Sequence, residues 1–171
     1  MCGVIIHSLR PFTRAVIAIL AMTALAGCSS VDQNSASSAD RPKYETTLNV
    51  TTINGTPPEG TLSHLQNVKT MLDTTDAKGQ HLIFTEGTRK AGTRAAIHTH
   101  EYGGHTCVVS GEITDFVEGH SPMKFPAGTC YYMPPNILMS ASNLGRQDAV
   151  LIDTFTVPLG GASITIREPG Y

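Results

Sequence analysis

From Leu48 onward short apolar runs are punctuated by residues that interrupt regular structure. Thr56-Pro57-Pro58-Glu59-Gly60, Gly87, Gly92, Gly111, Gly119, Pro126-Ala127-Gly128 and Gly160-Gly161 cut it into short segments. Proline and glycine are costly inside helices, so segments of this length suit strands joined by tight turns. His81–Thr85, Thr106–Val109, Glu112–Val117, Thr129–Met133, Ala149–Thr156 and Ser163–Ile166 read as strands. Leu62–Leu72 fits either a strand or a single helical turn. With 171 residues, no Trp and no internal repeat, the chain has room for one domain, and an all-β sandwich or barrel is expected.

The first residues read as an address and not as structure. Arg10 and Arg14 make a positive n-region, and Ala15–Leu25 is an apolar run too short to span a bilayer. The run ends in Leu25-Ala26-Gly27-Cys28, which resembles the bacterial lipoprotein signal. That resemblance implies a signal peptide over residues 1–27 and lipidation of Cys28 as the mature N-terminus. Ser29 follows the cysteine, where Asp would favour the inner membrane, so an outer-membrane anchor facing the periplasm is expected. Residues 28–47 are rich in Ser, Ala, Asn and Asp and read as a flexible tether. The folded domain is then 48–171.

Formal charge is −2, and loss of Arg10 and Arg14 leaves ten basic against 14 acidic residues. A mildly acidic domain with no basic cluster has no electrostatic footprint for nucleic acid. Membrane contact is expected through the lipid anchor only.

Gly92-x5-His98-x-His100, followed by Gly111, carries the strongest chemical signal. Residues i and i+2 of a strand share one face, so both imidazoles can reach one ion. Neutral imidazole is a ligand for Cu, Zn, Fe and Ni. Further on, Gly128-x5-Pro134-Pro135-Asn136-Ile137-Leu138-Met139-x3-Asn143 has a second characteristic spacing. Taken in order, the two halves resemble the signature of the cupin superfamily over about Gly87 to Ile152. The resemblance implies a single jelly-roll (cupin-like) β-barrel, with a metal held inside by two His and a Glu from the first motif and one His from the second.

The match is incomplete. His98 and His100 occupy the first two ligand positions, but the Glu position falls on Gly104 and the second-motif His on Met139. Asn136 stands where Gly is usual. Three readings follow. A bulge at Gly103-Gly104 would turn His105 inward, giving three histidines with Met139 as a weak fourth ligand, a set suited to copper. Alternatively, His98 and His100 hold Zn, Fe or Ni with waters or Glu101 completing the shell. In the third reading the metal is lost and the barrel binds a small molecule. Tyr102, Tyr131 and Tyr132 could line the mouth.

In a cupin jelly roll Cys107 and Cys130 would fall on neighbouring strands. A disulfide, two separate buried thiols, and Cys107 as a soft ligand all remain open in an oxidising compartment. His64, His81 and His120 read as surface residues, and Asp115, Glu112 and Glu118 as a solvated strand face. Two functions are compatible with these residues. One is a metal-dependent small-molecule enzyme, for which Glu101 is the only acidic residue beside the motif. The other is a non-catalytic module that binds a small ligand or a metal in the cell envelope. The expected partners are a small molecule and, left open by the sequence, a second copy of the chain in a homodimer.

Overall fold

The structure, a computed structural model, describes residues 49–171. The expected signal peptide over 1–27, the expected lipidation site Cys28 and the expected tether over 28–47 lie outside the described residues. No helix occurs among the described residues. The strands are β1 (Thr61–Leu62), β2 (Gln66–Thr75), β3 (Gln80–Arg89), β4 (Thr93–Arg94), β5 (His98–Thr99) and β6 (Gly104–Ser110). They continue with β7 (Glu112–Val117), β8 (Met123–Pro126), β9 (Cys130–Met133), β10 (Met139–Ser142), β11 (Ala149–Pro158) and β12 (Thr165–Ile166).

Two sheets form. One has the order β2-β3-β11-β6-β9. In the other, β4, β10, β7 and β8 lie side by side, with β1 at one edge and β5 and β12 continuing beside β10. From β3 to β11 the chain passes repeatedly between the sheets, so β3-β11-β6-β9 faces β4-β10-β7-β8. That is the strand order of a jelly roll. The ladders close within each sheet and not around one continuous barrel, so the fold is a two-layer sandwich.

Period-two patterning selects what lies between the layers. On β11, Ala149, Leu151, Phe155 and Val157 are buried, and Val108, Ile113, Val117, Tyr131, Met133 and Met139 join them in the core. The segment read ambiguously from sequence is the edge strand β2, exposed along all ten residues. With neither face buried and two register shifts against β3, it carries no alternation to read.

A buried ion pair pins the last strand beneath β5. Arg94 gives two hydrogen bonds to Glu168, at 2.6 and 2.7 Å, and the Ile97 N–H donates to the same carboxylate at 2.8 Å. This holds the stretch leading into His98 in place.

Candidate functional site

His98 and His100 share one face, as the i and i+2 spacing requires, and both are buried, at 6% and 2% exposure. Their rings meet edge to face with centroids 4.8 Å apart. Each Nδ1 faces a carbonyl, Ala96 O at 2.7 Å for His98 and Ser163 O at 2.5 Å for His100. A carbonyl only accepts, so each Nδ1 carries the proton and each Nε2 keeps its lone pair. His100 Nε2 has no partner among the described residues. Burial pushes the His98 imidazole down to about 3, with His100 adding to the effect, and burial lowers His100 as well. Both rings are therefore neutral at pH 7.

Asn136 supports this strand from the Pro134-Pro135 turn. It sits at φ 60°, a left-handed conformation that Asn tolerates where Gly is more usual. Its N–H donates to His100 O at 2.8 Å.

The histidines line a cavity of about 220 Å³ between the sheets. The opposite wall is a polar row that crosses four strands. Thr85 pairs with Asp153, Asp153 with Thr106, and Thr106 with Tyr131. The Thr106 hydroxyl donates to Asp153 Oδ1 at 2.6 Å. Burial raises the Asp153 carboxyl above its usual range, and the Thr106 hydrogen bond and Arg89 oppose that rise. Arg89, only 4% exposed, also borders the cavity, and one of its terminal nitrogens donates to Ser63 O at 2.6 Å. Ile83, Leu151, Phe155 and Met133 supply the apolar lining.

The structure departs from several expectations. His105 is exposed and packs against Tyr132 on the outer face, at 5.2 Å between ring centroids. Gly103, at φ 73°, ends the preceding turn before β6 starts. From Gly104 the strand then alternates regularly, placing Gly104, Thr106 and Val108 inside and His105 outside. The register shift in this ladder lies instead at the far end of β6, between Val150 and Leu151 of the partner strand. The bulge that would have turned His105 inward is thus absent from its expected place.

Met139 is the register partner of His98 and shares its face, but it is packed into the apolar core and does not border the cavity. Glu101 is exposed. Cys107 and Cys130 are joined by a disulfide, with Cα atoms 4.0 Å apart on paired strands, so neither thiol is available to a metal. Of the three tyrosines, Tyr131 lines the cavity and Tyr102 and Tyr132 face out.

Asp115 is not on a solvated face. It is 2% exposed, because it alternates inward with Ile113 and Val117. Its Oδ1 has no partner among the described residues, and burial pushes its carboxyl up to about 7. Sequence reasoning also missed Asp153 and Arg89. Their parity with Leu151 and Phe155, and with Ile83 and Gly87, was the signal that could have found them.

These residues do not fit the four-ligand metal shell that the cupin resemblance implies. Among the described residues no group of three or more His, Cys, Asp or Glu side chains could hold a metal ion. The third-ligand position also has no room. A Cβ at Gly104 would lie 2.7 Å from Phe155 Cδ1 and 2.9 Å from Met133 Cε. Phe155 fills that space and stacks on His100, with centroids 5.1 Å apart and 27° between the planes.

No family model matches the chain. No curated protein matches it either. Several solved structures are similar. An RmlC-like cupin family protein with a double-stranded β-helix fold, from Methanocaldococcus jannaschii, is 19% identical with a TM-score of 0.46, over 53% of this chain and 78% of that one. A cupin-like protein from Thermotoga maritima is 19% identical with a TM-score of 0.49, over 58% of this chain and 73% of that one. A conserved protein with a double-stranded β-helix domain, from Klebsiella pneumoniae, is 20% identical with a TM-score of 0.47, over 75% of this chain and 99% of that one. The jelly-roll order stands on its own pairing register, and these likenesses add nothing about what the chain binds. The fold is an all-β jelly roll, and the solved structures it resembles are cupins and double-stranded β-helix proteins.

Proposed function

We propose that the chain is a small-molecule-binding jelly roll of the cell envelope, and that its ligand occupies the His98–His100 cavity without a resident metal. One observation carries this reading. Phe155 fills the place of a third metal ligand, while the two imidazoles beside it keep unprotonated Nε2 atoms. Ligand pockets commonly combine apolar walls with a few polar groups that fix orientation, and this cavity has that make-up.

A second reading has its own support. When Nδ1 of each imidazole is held by a carbonyl, the ring is oriented as in many metal sites, with Nε2 as the donor. Two such donors could hold copper, zinc, nickel or iron with exogenous ligands completing the shell. Titration of the full-length chain with Cu, Zn, Ni and ferrous iron, followed by elemental analysis, separates the two. The metal-free reading expects wild type and the His98→Ala/His100→Ala double variant to retain equal amounts of metal. One equivalent retained by wild type and lost in the double variant would replace it with the two-histidine site.

Placement in the envelope rests on the Leu25-Ala26-Gly27-Cys28 block, which supports lipidation at Cys28 and a tether through residue 47. Cys28→Ala is expected to leave the protein unprocessed or soluble. Unchanged membrane partitioning of that variant would remove the anchor from this reading.

A further inference from the structure

The His98–His100 cavity has a chemical bias that narrows its ligand class, and the inference that follows rests on the small-molecule reading of that cavity. Imidazole and carboxylate acceptors on its walls are free to take a donor from a ligand. Each of the two imidazoles keeps its Nε2 lone pair, because its Nδ1 proton is given to a backbone carbonyl. Asp153 accepts from the Thr106 hydroxyl with one oxygen and borders the cavity. Unbonded acceptors in a buried wall are satisfied only by donors that arrive with the ligand.

Charge narrows the class again. The charged side chains lining the cavity are Arg89 and Asp153, one of each sign, and the histidines between them are neutral. Arg89 is partly engaged already, donating to Ser63 O, and its buried Nε has no partner among the described residues. A ligand carrying a net charge would therefore lose its hydration in a space whose two wall charges sum to zero. Size and shape follow from the remaining walls. The cavity holds about 220 Å³. A dry cavity of about 150 Å³ is enough for benzene. Phe155, Leu151 and Ile83 offer flat and branched apolar surface to a ring.

We infer that the cavity selects an uncharged, ring-sized molecule carrying at least one hydroxyl, its apolar body against Phe155 and its hydroxyl donated to the acceptors of His98 and Asp153. Phenol is the simplest probe of that class. Benzoate and benzylamine have a similar ring with a negative or a positive charge. Asp153 is the specificity-determining residue, because it balances Arg89 and makes the walls neutral overall.

The test uses the full-length chain in detergent and follows binding by calorimetry, with thermal shift as a second readout. Phenol is expected to bind at least tenfold more tightly than benzoate or benzylamine. In Asp153→Asn the balance is lost in favour of Arg89, and the benzoate-to-phenol affinity ratio should rise at least tenfold. Thr106→Val removes the hydroxyl that orients Asp153 without changing charge, and should weaken phenol without favouring benzoate. It also keeps the test decisive should Asp153→Asn fail to fold. If benzoate or benzylamine binds wild type as tightly as phenol, the neutral-ligand inference is wrong and the small-molecule reading stands. If none of the three binds, and a ring-filling Ala141→Leu variant is as stable as wild type, the cavity is packing space and both readings fall.

Discussion

Phe155 lies on the face of His100, 5.1 Å between ring centroids, and the same phenyl ring occupies the volume that any side chain at position 104 would enter. Glycine at 104 and phenylalanine at 155 are thus one choice made at two positions. Either a carboxylate reaches the histidines from β6, or an aromatic ring from β11 covers them.

This coupling leads to an expected outcome for two variants. Gly104→Glu alone should overpack the site, costing about 1–3 kcal/mol or more, and should not create metal binding. Gly104→Glu combined with Phe155→Ala vacates the ring and lets the introduced carboxylate join His98 and His100. The double variant should then bind zinc or nickel stoichiometrically where Gly104→Glu does not. Metal content after dialysis, read beside the thermal midpoint, checks both halves. Equal metal in the two variants would show that Phe155 is not what closes the third position.

The strands that could be read from sequence are those with one clear apolar side or strong breakers at both ends, such as β7 and β11. Others were illegible for physical reasons. Met139–Ser142 forms β10, but Met-Ser-Ala-Ser has no β-branched residue and packs small side chains on both faces, so it shows neither propensity nor alternation. The pairing of His98 with His100 was legible because it depends only on local parity. The polar row was not, because Thr85, Thr106, Tyr131 and Asp153 are brought together by the register of four strands far apart in sequence. His105 failed as a site residue for a related reason. Two adjacent glycines permit a bulge, and whether one forms is decided by the partner strands.

The Cys107–Cys130 bridge closes a loop between residues 23 apart in sequence, and it lies on the outer side of β6 and β9, where Cys130 is exposed. Closing a loop of that length restricts the unfolded chain by roughly 3 kcal/mol. Reduction, or the Cys107→Ala/Cys130→Ala pair, is expected to lower the unfolding free energy by about that amount. The cavity on the inner face should be left intact. Denaturant unfolding with and without reductant measures the loss. An unchanged midpoint, with the bond shown by alkylation to be broken, would mean that the bridge does not stabilise the fold.

Two buried titratable groups act on stability in opposite directions with pH, and this can be separated experimentally. His98 titrates at about 3 in the folded protein against 6.5 for a free imidazole. A depressed value means that the unfolded chain binds the proton first as pH falls. Its contribution is therefore complete above about 6.5 and is lost progressively as pH drops toward 3, in total on the order of 5 kcal/mol. Asp115 is raised from 3.8 to about 7 by burial. Here the folded state keeps the proton longer, so stability is greatest below about 3.8 and is lost as pH rises through 7, by roughly 4 kcal/mol. Asp115→Asn removes the buried charge while keeping the shape. It should raise the unfolding free energy at pH 8, have progressively less effect as pH falls, and change little at pH 4. His98→Phe should do the reverse, flattening the acid side of the profile. Unfolding free energies from denaturant titrations at half-unit steps between pH 4 and 8 would test both. A gain in Asp115→Asn that is the same at every pH would show that the carboxyl is not titrating in the sandwich, and that its effect comes from packing alone.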